Sequence, residues 1–236
     1  MTAPQHVLLD FFGTLVAYSE SLTNQGFHGS HRLVCTCGAR LSYTEFLESW
    51  AGVFEEFEEQ AQRTLDEYAM DAVCAEFLAR VLPRDPDDET LASFRDTYLS
   101  EWNKGVTYLP GVRELLSALS RRFVLVVVTN THHAELVLEH LREMNVAEYF
   151  AGVVTSVEYG KRKPAAGIFD RALAETGGSA ATATYVGDSF VADYRGAMGA
   201  GLRCLLIDPE RRHEIPEDDR VTDVFEAGAR LMGWAG

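Results

Sequence analysis

The chain begins with a short apolar run that ends in an acidic residue. His6 to Leu9 is typical of a strand that is buried on both faces of a parallel sheet. Asp10 follows directly, and Gly13-Thr14 then turns the chain. The pattern predicts a first strand whose carboxyl end presents a carboxylate, a place where open α/β sheets put their chemistry.

Alternation of strand and helix patterns resumes after Tyr108. Apolar runs predict strands, and segments with helical spacing separate them. Because repeated βα units form parallel sheets with right-handed crossovers, the expected fold class is α/β, with a Rossmann-like, doubly wound core. The predicted strands cover 123–128, 153–154, 184–186 and 204–207, the predicted helices cover 110–119, 132–144, 165–175 and about 189–200, and a closing strand and helix cover 221–234.

Residues 18–106 lack this alternation and read as helices and loops. Ser42 and Glu45 match a capping box, and a stripe of aromatic and aliphatic residues follows at helical spacing. Further helical patterns lie near 70–81 and 91–102. The domain organisation predicted is a discontinuous core, residues 1–17 and 107–236, with an all-helical cap inserted at 18–106.

Composition narrows the possible partners. The chain has 236 residues, 47% hydrophobic residues and a formal charge of −15, which argues against nucleic acid and anionic membrane partners. No apolar run is long enough to span a bilayer, the first residues do not resemble a signal peptide, and four cysteines do not suggest a disulfide framework. We expect a cytoplasmic protein, and leave open whether it is a monomer or a homodimer.

Polar residues of the types that act in catalysis and ligand binding lie at the predicted strand ends. A carboxylate there can be a nucleophile, although an aspartate that merely caps a turn has the same pattern. A hydroxyl and backbone N–H groups can hold anionic oxygens, a lysine can neutralise charge, and clustered carboxylates suit Mg²⁺. The residues are Asp10, Thr129, Asn130, Lys163, Asp188 and Asp193.

Four segments together resemble the motifs of the haloacid dehalogenase superfamily, and the resemblance covers essentially the whole chain. They are Asp10-Phe11-Phe12-Gly13-Thr14-Leu15, Val127-Val128-Thr129-Asn130, Gly160-Lys161-Arg162-Lys163-Pro164 and Gly187-Asp188-Ser189-Phe190-Val191-Ala192-Asp193.

The resemblance implies a role for each of these residues. Asp10 would be the attacking carboxylate, Thr129 and Asn130 would bind the substrate's anionic oxygens, and Lys163 would orient Asp10 and also contact the substrate. Mg²⁺ would be held by Asp10, the main-chain carbonyl of Phe12 and Asp188, with Asp193 as a ligand or as support for one. The substrate implied is a small anionic molecule.

One position departs from the phosphatases of this superfamily, which carry a second aspartate two residues after the nucleophile. Phe12 stands there and cannot transfer a proton, and such a group is typically worth ~10²–10⁴-fold in rate. Its absence favours a dehalogenase, because halide leaves without a proton. Asp188 and Asp193 favour the Mg²⁺-dependent form, because converging carboxylates need a cation.

We therefore expect a Mg²⁺-dependent hydrolase with an aspartyl intermediate that acts on a small phosphorylated metabolite. The alternatives are a metal-independent 2-haloacid dehalogenase and a non-catalytic ligand-binding descendant. A phosphonate-cleaving enzyme is a weaker option, since no lysine of the cap can be assigned to the Schiff base such an enzyme needs.

Two features of the cap segment 27–37 add hypotheses. His28 or His31 could supply the missing proton near neutral pH, although surface histidines are the simpler interpretation. Together with Cys35 and Cys37 they could also suggest zinc. The Cys-Thr-Cys spacing lacks the usual two-residue gap, so we do not expect a zinc site.

Overall fold

The computed structural model describes residues 5–19 and 25–234. The chain divides into two compact units, which we call the core unit (Met1–Ala17 and Tyr108–Gly236) and the helical unit (Tyr18–Thr107). The strands are β1 His6–Leu9, β2 Val16–Tyr18, β3 Val106–Tyr108, β4 Val124–Thr129, β5 Phe150–Thr155, β6 Ala183–Gly187, β7 Arg203–Ile207 and β8 Arg220–Val221.

The core unit is built on a six-stranded sheet in the order β5-β4-β1-β6-β7-β8. Every pairing in it is parallel, which confirms the predicted α/β, Rossmann-like class. The first strand lies in the middle, where Leu8 pairs with Val126 on β4 and with Tyr185 on β6. Because the strands are parallel, the residues that follow β1, β4 and β6 share one edge of the sheet.

The helices of the core unit are α5 Val112–Ser120, α6 Ala134–Glu143, α7 Ser156–Tyr159, α8 Ala166–Thr176, α9 Gly196–Gly199 and α10 Val224–Trp234. On one face of the sheet, Leu8 and Tyr185 belong to a buried cluster with Ile168 and Phe169 of α8. Side chains alternate between the faces of a strand, so Asp10, two residues after Leu8, continues the same face. The core packing thus places α8 and the loop before it beside Asp10.

The helix predicted at about 189–200 is present, but most of it is not an α-helix. Residues Phe190–Arg195 form a π-helix, and only Gly196–Gly199 is an α-helix. The carbonyl of Ser189 accepts hydrogen bonds from the backbone N–H groups of both Asp193 (2.9 Å) and Tyr194 (3.1 Å), which widens the turn. Such widened turns occur frequently at functional sites.

The helical unit contains α1 His28–Thr36, α2 Tyr43–Thr64, α3 Met70–Val81 and α4 Asp88–Trp102. The capping box is confirmed, because the Ser42 side chain accepts from the Glu45 N–H while the Glu45 carboxylate accepts from the Ser42 N–H. Aromatic side chains fill its interior, where Phe77 lies 5.5 Å from Phe46 and 5.2 Å from Trp50 between ring centroids. This unit therefore has a hydrophobic core of its own.

His28 and His31 contact other residues of the helical unit. His28 stacks on Tyr43 at 4.1 Å between ring centroids, and the Nε2 of His31 lies 2.8 Å from the carbonyl oxygen of Leu41. Among the described residues, the group of His, Cys, Asp and Glu side chains whose ligand atoms lie close enough to hold a metal ion is Asp10, Asp188 and Asp193, outside the segment 27–37. None of the described helices has both the length and the apolar character needed to cross a membrane.

Candidate active site

Asp10 lies at the centre of the sheet edge. It follows β1 directly, it is 7% exposed, and its backbone N–H donates to the carbonyl of Val186 on β6 at 2.9 Å. This hydrogen bond continues the β1–β6 ladder one residue past the strand. The local backbone therefore holds the Asp10 side chain at a fixed place, with strands on both sides.

Lys163 reaches Asp10 from the loop before α8. Its ammonium group donates to Asp10 Oδ1 (2.8 Å), Asp193 Oδ1 (2.6 Å) and the hydroxyl of Tyr185 (2.7 Å). An ammonium group has three N–H donors, so each of them has an acceptor here. Burial acts to lower the pKa of Lys163, but the charges of Asp10 and Asp193 outweigh it and raise the pKa above its usual value. Lys163 is thus a permanent cation in this site.

Asp193 is completely buried and reaches Lys163 from the π-helix. Its second oxygen, Oδ2, accepts from the backbone N–H of Ser189 at 2.8 Å. Gly187 is required for this arrangement, because a Cβ atom at that position would lie 2.4 Å from Oδ2. The widened turn and the glycine together bring the Asp193 carboxylate under the sheet edge.

Asp188 completes a group of three carboxylates. Oxygens of Asp10, Asp188 and Asp193 all lie within 4.8 Å of one another. Part of Asp188 is exposed, but desolvation of its carboxyl group and the charges of Asp10 and Asp193 raise its pKa to about 7. Three carboxylates beside one ammonium carry a formal excess of negative charge, and hard oxygen donors are the ligands that Mg²⁺ prefers. The donor set fits a divalent cation.

The two predicted substrate-binding residues of the second motif lie one strand away from Asp10. Thr129 is the last residue of β4 and is 1% exposed. Asn130 is engaged with the third motif: its side-chain N–H donates to the carbonyl of Lys163 (3.2 Å), and its side-chain oxygen accepts from the Lys163 N–H (2.8 Å). The amide of Asn130 therefore holds the backbone of Lys163, while a role of either residue in substrate binding stays a prediction.

Phe12 packs against other aromatic rings of the core unit. Its ring meets Phe11 edge-on at 4.9 Å and His140 edge-on at 6.2 Å between centroids. His140 is itself 5% exposed, and burial lowers its pKa, so the imidazole is neutral at neutral pH. Its Nδ1 lies 2.9 Å from the hydroxyl of Tyr108. Position 12 thus offers a neutral, mainly apolar surface next to the aspartate.

Tyr185 is a site residue that the sequence interpretation treated only as part of a strand. Its hydroxyl contacts Lys163, and it lies on the same sheet face as Asp10. A signal was present in the sequence: Tyr185 carries a hydroxyl inside an otherwise apolar strand, and it pairs with Leu8, two residues before Asp10. That pairing register becomes known only once the strand order is known.

Gly13 provides the first testable prediction. It has φ +80°, and a Cβ atom there would lie 2.1 Å from Asp188 Oδ2. We expect Gly13→Ala to combine the backbone strain of a left-handed alanine with displacement of the Asp188 carboxylate. Gly177→Ala is the matched control, because Gly177 has φ +71° with open space around a Cβ.

Urea unfolding of the two variants separates these effects. Gly177→Ala should lower the free energy of unfolding by about 1 kcal/mol, and Gly13→Ala by at least about 1 kcal/mol more. Equal losses in the two variants would mean that Asp188 does not need the space beside Gly13.

Comparison with protein families gives a match over most of the chain. The model of the haloacid dehalogenase-like hydrolase family matches residues 44–207. The chain therefore belongs to the haloacid dehalogenase-like hydrolases, a class of α/β enzymes.

The proteins similar to this chain include one named as a phosphatase and one named as a dehalogenase. Ribulose-1,5-bisphosphate 5-phosphatase of Halopiger xanaduensis is 31% identical over 52% of this chain and 51% of its own, so the chain matches about half the length of that relative. The structure of a 2-haloacid dehalogenase from Pseudomonas syringae has a TM-score of 0.72 at 20% identity, and covers 98% of this chain and 99% of its own. The HAD-hydrolase YfnB of Bacillus subtilis, solved bound to magnesium, has a TM-score of 0.63 at 20% identity, with 98% and 100% covered.

Proposed function

We propose that the protein is a Mg²⁺-dependent phosphatase that acts on a small phosphorylated metabolite and uses Asp10 as its nucleophile. The observation that carries the proposal is the group of three carboxylates, Asp10, Asp188 and Asp193, in which Asp10 and Asp193 share the buried ammonium of Lys163. A metal-independent dehalogenase has no need for Asp188 beside its nucleophile. The similarity to a curated phosphatase adds support.

In the proposed reaction an Asp10 carboxylate oxygen attacks the phosphorus of the substrate. A bond forms between Asp10 and phosphorus, the ester P–O bond breaks, and the leaving oxygen departs with the electron pair and takes a proton from solvent when it is basic enough to need one. Water then attacks the phosphorus of the acyl phosphate and loses a proton to solvent, which releases inorganic phosphate and restores the Asp10 carboxylate. Lys163 holds Asp10 Oδ1, so the carboxylate cannot rotate away from the reacting atom.

Asp10, Asp188 and the main-chain carbonyl of Phe12 would hold the Mg²⁺ ion, which would neutralise the charge of the substrate and of the transferring group. Asp193 suits a supporting role better than direct ligation. Both of its oxygens already accept hydrogen bonds, from Lys163 and from the Ser189 N–H. Thr129 and Asn130 remain the proposed contacts to the substrate's oxygens, Asn130 through its backbone because its side-chain amide holds Lys163, together with neighbouring backbone N–H groups.

Metal dependence tests the proposal directly. Protein treated with EDTA should not hydrolyse p-nitrophenyl phosphate, and added Mg²⁺ should restore turnover by about 10²-fold or more, since a Lewis acid contributes several kcal/mol to such a transition state. Asp188→Asn should abolish this restoration. Asp170→Asn, a change at an exposed aspartate of α8, is the control and should respond to Mg²⁺ like the parent protein.

A dehalogenase is the second candidate, and the aromatic ring at position 12 favours it. It would release chloride from 2-chloropropionate, with equal rates in EDTA and in Mg²⁺. Chloride release under those conditions, with no phosphate release from any ester, would replace the phosphatase proposal. Binding of Mg²⁺ with no turnover of either substrate would indicate the non-catalytic descendant.

Phe12 also predicts which phosphate esters are cleaved. Without a carboxylic acid at this position, a leaving group that needs no proton, such as p-nitrophenolate, should react much faster than an alkoxide. Phe12→Asp should raise the alkyl-to-aryl ratio of kcat/KM by about 10²-fold. Phe12→Asn is the matched control, because it has the size of Asp and no acidic proton.

Equal ratios in the Asp and Asn variants would show that another group already supplies the proton. His28→Ala and His31→Ala would then test the hypothesis that a histidine of the helical unit is that group. Unchanged alkyl phosphate hydrolysis in both variants would remove it.

A further inference from the structure

The hydroxyl of Tyr185 is the third hydrogen-bond acceptor of the Lys163 ammonium, beside the carboxylates of Asp10 and Asp193. Tyr185 is completely buried, and its oxygen accepts from the Lys163 ammonium at 2.7 Å. The same hydroxyl lies 2.8 Å from the carbonyl oxygen of Val128 and 3.0 Å from Asp193 Oδ1, either of which can accept its proton. A buried hydroxyl with this set of partners is fully used.

The strand order shows where this hydroxyl lies. Val128 is on β4 and Tyr185 is on β6, and β1 lies between these strands. Neighbouring strands are about 4.8 Å apart, so the Tyr185 side chain must pass across β1 to reach Val128. Asp10 is the residue that follows β1. The Tyr185 hydroxyl therefore lies across the sheet edge at Asp10, where it meets Lys163.

The Tyr185 hydroxyl can both donate and accept a hydrogen bond at this position. Burial, together with the charges of Asp193 and Asp10, raises the pKa of Tyr185 well above its usual value, so the hydroxyl keeps its proton. It can therefore donate to the Val128 carbonyl while its oxygen accepts from Lys163. The ring is held by Phe169 of α8, which it meets nearly perpendicularly at 5.2 Å between centroids. The position of the oxygen is set by β4, β6 and α8 together.

We propose that Tyr185 is a positioning residue, whose hydroxyl oxygen accepts a hydrogen bond from one N–H of the Lys163 ammonium and thereby directs another N–H at Asp10 Oδ1. The inference rests on the proposed function of Asp10. The two remaining acceptors, Asp10 and Asp193, are carboxylates. Without the hydroxyl, the ammonium group has one proton without an acceptor and is free to turn between them.

Tyr185→Phe tests the proposal, because it removes the hydroxyl and keeps the ring against Phe169. With p-nitrophenyl phosphate and saturating Mg²⁺, kcat should fall about 10-fold, the size expected for a lost hydrogen bond to a charged group. KM and the Mg²⁺ dissociation constant, measured by calorimetry, should stay within about twofold, because Tyr185 contacts neither substrate nor metal in this proposal. Single-turnover measurements should place the loss in the phosphorylation of Asp10.

Tyr194→Phe is the matched control. Its hydroxyl donates to Asp219 at 2.7 Å, away from Lys163, and its loss should leave kcat within twofold. A Tyr185→Phe kcat within twofold of the parent would overturn the proposal. So would a joint loss of kcat, substrate affinity and Mg²⁺ affinity, which indicates general collapse of the site. Activity that survives in Asp10→Asn would instead count against the proposed function itself.

Discussion

Replacement of Asp10 by asparagine is expected to reduce phosphate release by about 10³-fold or more, the scale on which enzymes lose turnover when the nucleophile is removed. The amide keeps the shape of the side chain but cannot form the acyl phosphate. The same variant should remain folded. Burial and the charge of Asp193 raise the pKa of Asp10 although the charge of Lys163 lowers it, so an amide at this position avoids the burial of a charge. We therefore expect the free energy of unfolding to change by less than about 1 kcal/mol.

The measurement pairs kinetics with thermal unfolding. Mass spectrometry after rapid acid quench should detect a phosphorylated peptide that contains Asp10 in the parent protein and none in the variant. Asp170→Asn again serves as the control. If Asp10→Asn retained more than a tenth of the parent kcat, Asp10 would not be the nucleophile, and the group of carboxylates would need another role.

Replacement of Lys163 by methionine is expected to give the largest loss of stability. The ammonium group is the cation that Asp10 and Asp193 share, and the Lys163 side chain is only 2% exposed. Methionine fills a similar volume but leaves two carboxylates close together without their counter-charge. Breaking a buried ion pair in this way costs about 3–5 kcal/mol of unfolding free energy. Turnover should also fall, because Asp10 Oδ1 loses its hydrogen bond.

Urea unfolding at pH 7 without added metal measures this loss. Lys161→Met is the matched control, since Lys161 is exposed two residues earlier on the same loop, and it should change the free energy of unfolding by less than about 0.5 kcal/mol. A second change, Asp193→Asn in the Lys163→Met background, should recover part of the stability because it removes one unpaired charge. Similar losses for Lys161→Met and Lys163→Met would contradict the buried network.

The order of the elements could be predicted because it depends on local patterns. Apolar runs of strand length and amphipathic segments of helix length alternate in the core unit, and Asp10 and Asp188 follow such runs directly. Between Asp188 and Gly199 a helix could be predicted, but its type could not. A helical pattern in one sequence does not distinguish an α-helix from a π-helix. Here the widened turn accompanies the burial of Asp193 against Lys163, a partner thirty residues earlier in the chain.

The polar contacts within the site depended on the strand order and on loop packing. Asn130 is predicted from the sequence to bind a substrate, and the structure adds that its side-chain amide holds the backbone of Lys163 through two hydrogen bonds. Tyr185 read as an ordinary strand residue, because nothing in its local sequence shows that β1 and Asp10 lie between β6 and β4. The edge-on contact of Phe12 with His140 likewise joins residues that are far apart in the chain.

The sequence by itself determined that an aspartate ends the first strand and that further polar residues end the later ones, because hydrophobic periodicity is a local property of the chain. The tertiary structure decided which of these groups form hydrogen bonds and ion pairs with one another. Only the parallel order of β4, β1 and β6, with α8 packed on one face, brings Lys163, Tyr185 and Asp193 to Asp10. Hydrogen bonds require distances of about 3 Å, and those distances are set by packing between segments that no local pattern relates.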